Sequence, residues 1–98
     1  MITYEERQQV YTNALIAYGE KKQCIVALEE LSECAKEICK ALRSKGDREH
    51  LAEEIADVQI MLFQMAILHD CVDEVADFRR AKIERLEKRL EKEGAGNA

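Results

Sequence analysis

Two short stretches carry the side chains best suited to chemistry: Glu30-Leu-Ser-Glu33 and Glu54-Ile-Ala-Asp57. Each sets two carboxylates three residues apart, and on a helix such residues share a face at about 5–6 Å from one another. Each stretch is therefore a pair of oxygen donors. If the helices that carry them pair antiparallel, four negative charges gather in one place, which is costly unless protons or a cation relieve it. Hard oxygen ligands without sulfur or imidazole favour Mg²⁺, or Mn²⁺, over zinc or copper. Glu30, Glu33, Glu54 and Asp57 are the candidate metal ligands on this ground.

The plainer reading of each pair is a solvated, Glu-rich face, and such a face interleaves Lys or Arg four residues on. Here the residues four after Glu30 and Glu33 are Cys34 and Glu37, and those after Glu54 and Asp57 are Val58 and Met61. The charges lack local partners, which favours the metal. A ferritin-like di-iron site needs Glu-x-x-His on two helices, and no Glu stands three before His50 or His69. His50 reads as a first-turn surface residue, His69 as a helix-end residue, and Met61 with Met65 as core filler.

The elements that must position these acids are helices. No stretch alternates in the manner of a strand, Pro is absent, and Gly is scarce, so the chain is all-α. A first helix is expected over Tyr4–Tyr18, with Thr3 as N-cap and Glu5 and Glu6 favourable to the dipole. Its thin stripe of Val10, Ala14, Ala17 and Tyr18 suits an edge position, and Gly19 ends or kinks it. A second helix is expected over Lys21–Leu42, with Cys24, Ala27, Leu31, Cys34, Ala35, Ile38 and Leu42 in one apolar band. Glu30, Glu33 and Glu37 border that band, placing the acids at the rim of the core. The turn at residues 43–48 offers Gly46 for the C′ position and Asp47 as the next N-cap.

A third helix is expected over Arg48–Leu68, with a core stripe of Leu51, Ile55, Val58, Leu62 and Met65 and with Glu54 and Asp57 beside it. Counting outward from Lys45 at about 1.5 Å per residue, the two acidic pairs lie within about one turn of the same height. Beyond Asp57 this helix is apolar almost all round, which asks for cover on every side and so for a homodimer or a higher oligomer such as a homotetramer. Asp70 or Asp73 is expected to cap a fourth helix, running to about Lys92, with Val72, Val75, Phe78 or Arg79, Ile83, Leu86 and Leu90 as its stripe. The tail from Gly94 to Ala98 reads as frayed. Lys82, Arg85 and Arg89 fall on one line of the fourth helix, either as an ion-pair face or as holders of phosphate oxygens. Gln23 and Tyr18 are candidates for contact with a nucleotide base.

The 98 residues make one domain with a modest core for a lone chain. Charged residues make up 36% of it and the formal net charge is -5, against a duplex nucleic acid or an anionic membrane as partner. A small phosphorylated ligand stays open, because a bound divalent ion reverses the local sign. Cys24, Cys34, Cys39 and Cys71 form no CxxC pair and no signal-peptide pattern precedes them, so reduced thiols in a cytoplasmic protein are expected. The apolar run from Ile60 to Leu68 is too short to span a bilayer.

In the paired motifs the chain resembles the MazG-like all-α nucleoside triphosphate pyrophosphohydrolases, which carry ExxE on one helix and ExxD on the next. Glu30-Leu-Ser-Glu33 and Glu54-Ile-Ala-Asp57 match, with 20 residues between them. The flanking Ala27-Leu-Glu-Glu-Leu-Ser-Glu and Glu53-Glu-Ile-Ala-Asp-Val-Gln-Ile-Met-Leu-Phe-Gln match as well. The likeness covers about Gln23 to Met65, and the fourth helix loosely. It implies a four-helix bundle-like, oligomeric MazG-type fold that hydrolyses an NTP to an NMP and pyrophosphate with Mg²⁺, in housecleaning of the nucleotide pool. The four motif carboxylates would hold the metal, and Lys82 with Arg85 or Arg89 the phosphates, although the Asn that family members often carry there is missing. Glu33 is the expected base for the attacking water, with Glu30 or Glu53 next. Two other classes stand beside this one: a nucleotide- or metal-binding regulatory module without turnover, and a structural helical-bundle adaptor.

Overall fold

The computed structural model describes residues 1–94, and their regular structure is entirely helical: α1 (Tyr4–Tyr18), α2 (Glu20–Leu42), α3 (Arg48–Leu68) and α4 (Val72–Lys92). The frayed tail expected from Gly94 lies, from residue 95 onward, outside the described residues. Thr3 starts α1 with a full capping box: the Glu6 N–H donates to Thr3 Oγ1 at 3.1 Å, and the Thr3 N–H donates to Glu6 Oε2 at 3.1 Å. Gly19 is the single residue between α1 and α2, and its φ of 95° is one that a side chain would oppose.

The helix ends depart from expectation in an instructive way. Ser44, not Gly46, takes the left-handed position after α2, with φ 56°. The Ser44 N–H donates to Ala41 O at 3.0 Å and the Lys45 N–H to Lys40 O at 3.0 Å, the two bonds of a Schellman motif. Gly46 is instead small because a Cβ there would sit 3.1 Å from the backbone N of Ala41. Asp47 caps α3 as expected, its Oδ1 accepting from the Glu49 N–H at 2.9 Å. The same closure recurs after α3: Asp70 has φ 52°, and the Cys71 N–H reaches Ala66 O at 2.9 Å. Asp70 is used up in ending α3, so neither it nor Asp73 caps α4. Cys71 holds that position without a side-chain bond, and Asp73 and Glu74 fall in the first turn.

The helices α2 and α3 form a long antiparallel pair. The helix α1 lies along both, and α4 packs only on α3 among the described residues. Phe63 anchors α1 through Tyr4 and Tyr11, with ring centroids 6.1 and 5.3 Å away.

The seam between α2 and α3 is not the one the apolar stripes suggest. Gln23, Ala27 and Glu37 are the buried residues of α2, and Met61, Gln64 and Ala66 those of α3. Leu31, Ile38 and Leu42 of the expected α2 band are exposed, as are Ile55 and Leu62 of the expected α3 stripe. Both helices carry more apolar surface than one chain can cover, and the acidic row faces the intrachain neighbour while the larger apolar faces point outward. The outer face of α4 is equally bare, with Phe78 63% exposed and Val75, Ile83, Leu86 and Leu90 beside it. The radius of gyration, 16.7 Å, exceeds the roughly 13 Å of a compact domain of about 100 residues. No described helix is long and apolar enough to cross a membrane.

Candidate metal centre

The α2–α3 seam is polar in a regular rhythm. Gln23, Glu30 and Glu37 stand seven residues apart on α2, and Gln64, Asp57 and His50 stand seven apart on α3, running the other way. Seven residues are close to two turns, about 10.5 Å, so the three levels stack along one line. At the first, Gln23 Nε2 donates to Gln64 Oε1 at 2.6 Å, with both side chains buried. At the middle level the acids meet. One carboxylate oxygen each from Glu30, Glu54 and Asp57 lies within 4.8 Å of the others. At the third, His50 bridges Glu37 and Glu54.

The middle level fits a hard cation by three criteria. Its donors are all carboxylate oxygens, the set that suits Mg²⁺ or Mn²⁺. Oxygens bound to one Mg²⁺ at about 2.1 Å lie at most about 4.2 Å apart, so oxygens within 4.8 Å of one another need only a small side-chain torsion to converge on one ion. Glu54 Oε2 is moreover a buried oxygen with no hydrogen-bond partner, and an orphaned buried carboxylate oxygen is costly. The electrostatics agree. Partial burial, followed by repulsion from Asp57 and Glu54, pushes the Glu30 carboxyl above the ordinary carboxylate value.

The structure thus brings together three of the four expected ligands. Glu33, the fourth, is exposed and stands outside the cluster, as does Glu53. Gln23 is not free to meet a base, because it is buried with its amide committed to Gln64. Tyr18 is exposed at the end of α1. Lys82, Arg85 and Arg89 are exposed on α4, which makes no packing contact with α2. Lys82 borders an apolar groove with Val75, Phe78, Arg79, Ile83 and Leu86. Among the described residues none of the three forms an ion pair with Glu30, Glu54 or Asp57.

Two residues were missed by motif spacing. Glu37, expected at the rim, is only 2% exposed, and Lys40 Nζ stands 3.1 Å from its Oε2. His50 is an exposed first-turn residue of α3, as expected, but its ring also reaches both Glu37 and Glu54. Both were within reach of the sequence: the antiparallel register that sets Glu30 opposite Asp57 also sets Glu37 opposite His50. No known protein family, curated protein or solved structure compared with this chain matches it.

Proposed function

We propose that the protein is a Mg²⁺-dependent nucleoside triphosphate pyrophosphohydrolase, releasing an NMP and pyrophosphate in the manner of the MazG-like enzymes its motifs resemble. The observation that carries this reading is the convergence of Glu30, Glu54 and Asp57, together with a buried Glu54 oxygen that lacks a partner. These three residues would hold the ion, with Mn²⁺ as an alternative. When bound, the metal supplies charge neutralisation of a triphosphate and a water of lowered pKa. Glu33 lies one turn from Glu30 on the exposed side of α2. It is free of the cluster, so its carboxylate is available to accept a proton from a water within hydrogen-bond reach.

Lys82, Arg85 and Arg89 suit phosphate oxygens by charge and donor geometry, and they would serve the cluster from a second copy of the chain. A homodimer or homotetramer would also cover the bare faces of α2 and α4, and the thiols suit a cytoplasmic setting. The exposure of Glu33 equally favours a second reading, a metal-binding regulatory module without turnover.

Incubation with a panel of NTPs and Mg²⁺, assayed for pyrophosphate and the matching NMP, tests the proposal. Release of both is expected, and its loss in Glu54→Gln with helix content unchanged. If wild-type protein binds Mn²⁺ and turns over no NTP, the regulatory reading replaces the enzymatic one.

A further inference from the structure

Glu54 has two carboxylate oxygens in different circumstances. Oε1 lies 3.3 Å from His50 Nε2, one turn earlier on the same helix. Oε2 is buried and has no partner. The other ring nitrogen, Nδ1, lies 3.3 Å from Glu37 Oε1 on α2. Glu37 is itself held, with its second oxygen 3.1 Å from Lys40 Nζ. A continuous row of polar contacts therefore runs Lys40, Glu37, His50, Glu54 across the α2–α3 seam and stops at the one oxygen left open. The Glu37 and Glu54 side chains are 3% and 13% exposed, while that of His50 is 48% exposed. The imidazole is thus a cap laid over two mostly buried carboxylates, with its outer edge in solvent.

A Glu side chain on a helix is long and has several rotamers, so a ligand oxygen on it is well placed only if something fixes the carboxylate. Packing does part of this for Glu54. The rest falls to His50, which is fixed from the opposite helix by Glu37, while its backbone in the first turn of α3 is held by the cap, the main-chain N–H donating to Asp47 Oδ1 at 3.4 Å. Partners that hydrogen-bond a ligating carboxylate from behind tune its orientation and basicity.

We propose that His50, anchored by the buried Glu37, is the positioning residue of the metal centre: it holds Oε1 of Glu54 and thereby presents Oε2 to the divalent ion. This rests on the reading of Glu30, Glu54 and Asp57 as the metal-binding cluster, and it adds the pair that sets the cluster's geometry. His50 does not touch the ion or the substrate.

The test is Mn²⁺ binding to the protein without nucleotide, followed by the electron paramagnetic resonance of the free ion, for wild type, His50→Ala, His50→Gln and Glu37→Gln. Circular dichroism on each variant checks that the helices persist. Loss of such a partner typically weakens metal binding by about 10- to 100-fold. His50→Ala and Glu37→Gln are expected to fall in that range. His50→Gln, whose amide can still donate to Glu54, should recover part of the loss. A residue that merely tied α2 to α3 would change the melting temperature of the metal-free protein and leave the Mn²⁺ affinity of the folded protein untouched. Wild-type affinity, or tighter binding, in folded His50→Ala overturns the positioning role alone. Absence of saturable Mn²⁺ binding in wild type overturns the metal centre and the positioning role together.

Discussion

In the metal-free fold Glu30 carries a charge that its surroundings disfavour, and this has a sign that can be measured. Its carboxyl is raised by partial burial and then by Asp57 and Glu54. An acid raised in the folded state binds more protons folded than unfolded. Its contribution to stability is complete below the unfolded value and is lost as pH rises through the folded one. The metal-free protein should therefore lose part of its stability as pH climbs out of the ordinary carboxylate range. Glu30→Gln, which cannot ionise, should melt higher than wild type at neutral pH, and the gap should close on acidification. With saturating Mg²⁺ the order should reverse, because binding to the native state alone stabilises wild type. Thermal melts of the two proteins across pH, with and without Mg²⁺, check all three expectations. Glu33 gives a complementary test. It stands outside the cluster, so Glu33→Gln should bind Mn²⁺ as wild type does while NTP turnover falls by about 10²- to 10⁴-fold, the range of general-base catalysis. Wild-type turnover in that variant would move the base elsewhere, with exposed Glu53 the next candidate.

The helices themselves were largely legible, and where they were not, the reason is local backbone chemistry. Ser44 and Asp70 both occupy the left-handed region at helix ends, with φ 56° and 52°. For a residue with a Cβ this conformation costs roughly 1–2 kcal/mol, somewhat less for Asp. Ser44→Gly should relieve that strain, and even after the entropy that Gly forfeits on folding it should gain up to about 1 kcal/mol. A rise of a few degrees in melting temperature would show it; a fall would mean that the Ser44 side chain does something its contacts do not reveal. Gly46, two residues on, is the obvious turn glycine by composition, but its role is steric, against the Ala41 backbone. The α1 capping box, the Asp47 cap and the bounds of α1 and α3 were readable because each depends on a few adjacent residues. The register of α2 against α3 was readable too, since a short turn fixes it. The rotation of each helix about its axis was not. Apolar periodicity ranks faces by hydrophobicity alone, and it set Leu31, Ile38, Ile55 and Leu62 in the core of one chain. All four are exposed, and Gln23, Glu37 and Gln64 are buried in the seam instead.

At the scale of the whole molecule, the surplus of uncovered apolar surface is the feature that most constrains how the protein works. Buried hydrophobic residues among those described are few, namely Leu15, Ala27, Met61 and Ala66, and none is larger than Met. Meanwhile Leu28, Leu42 and Phe78 are 67%, 83% and 63% exposed. Apolar patches of this extent on a helical pair and on α4 mark an interaction surface. In the proposed homo-oligomer a second copy of the chain would cover them, because α4 needs an apolar face and α2 has one to give. Burial of a Phe side chain is worth about 1.5–3 kcal/mol, and a Glu in its place would bring an unpaired charge into the contact. Phe78→Glu is thus expected to weaken self-association by roughly 100-fold or more, seen as a shift from oligomer to monomer by light scattering, with the helices retained. Activity follows a separate logic. Glu30, Glu54 and Asp57 belong to one chain, but Lys82, Arg85 and Arg89 ride on a helix that does not touch α2 within that chain. The monomeric variant should therefore keep its Mn²⁺ affinity and lose turnover, and turnover should return at concentrations that force it to associate. A fully active monomer would show that the basic line of α4 has no part in the reaction.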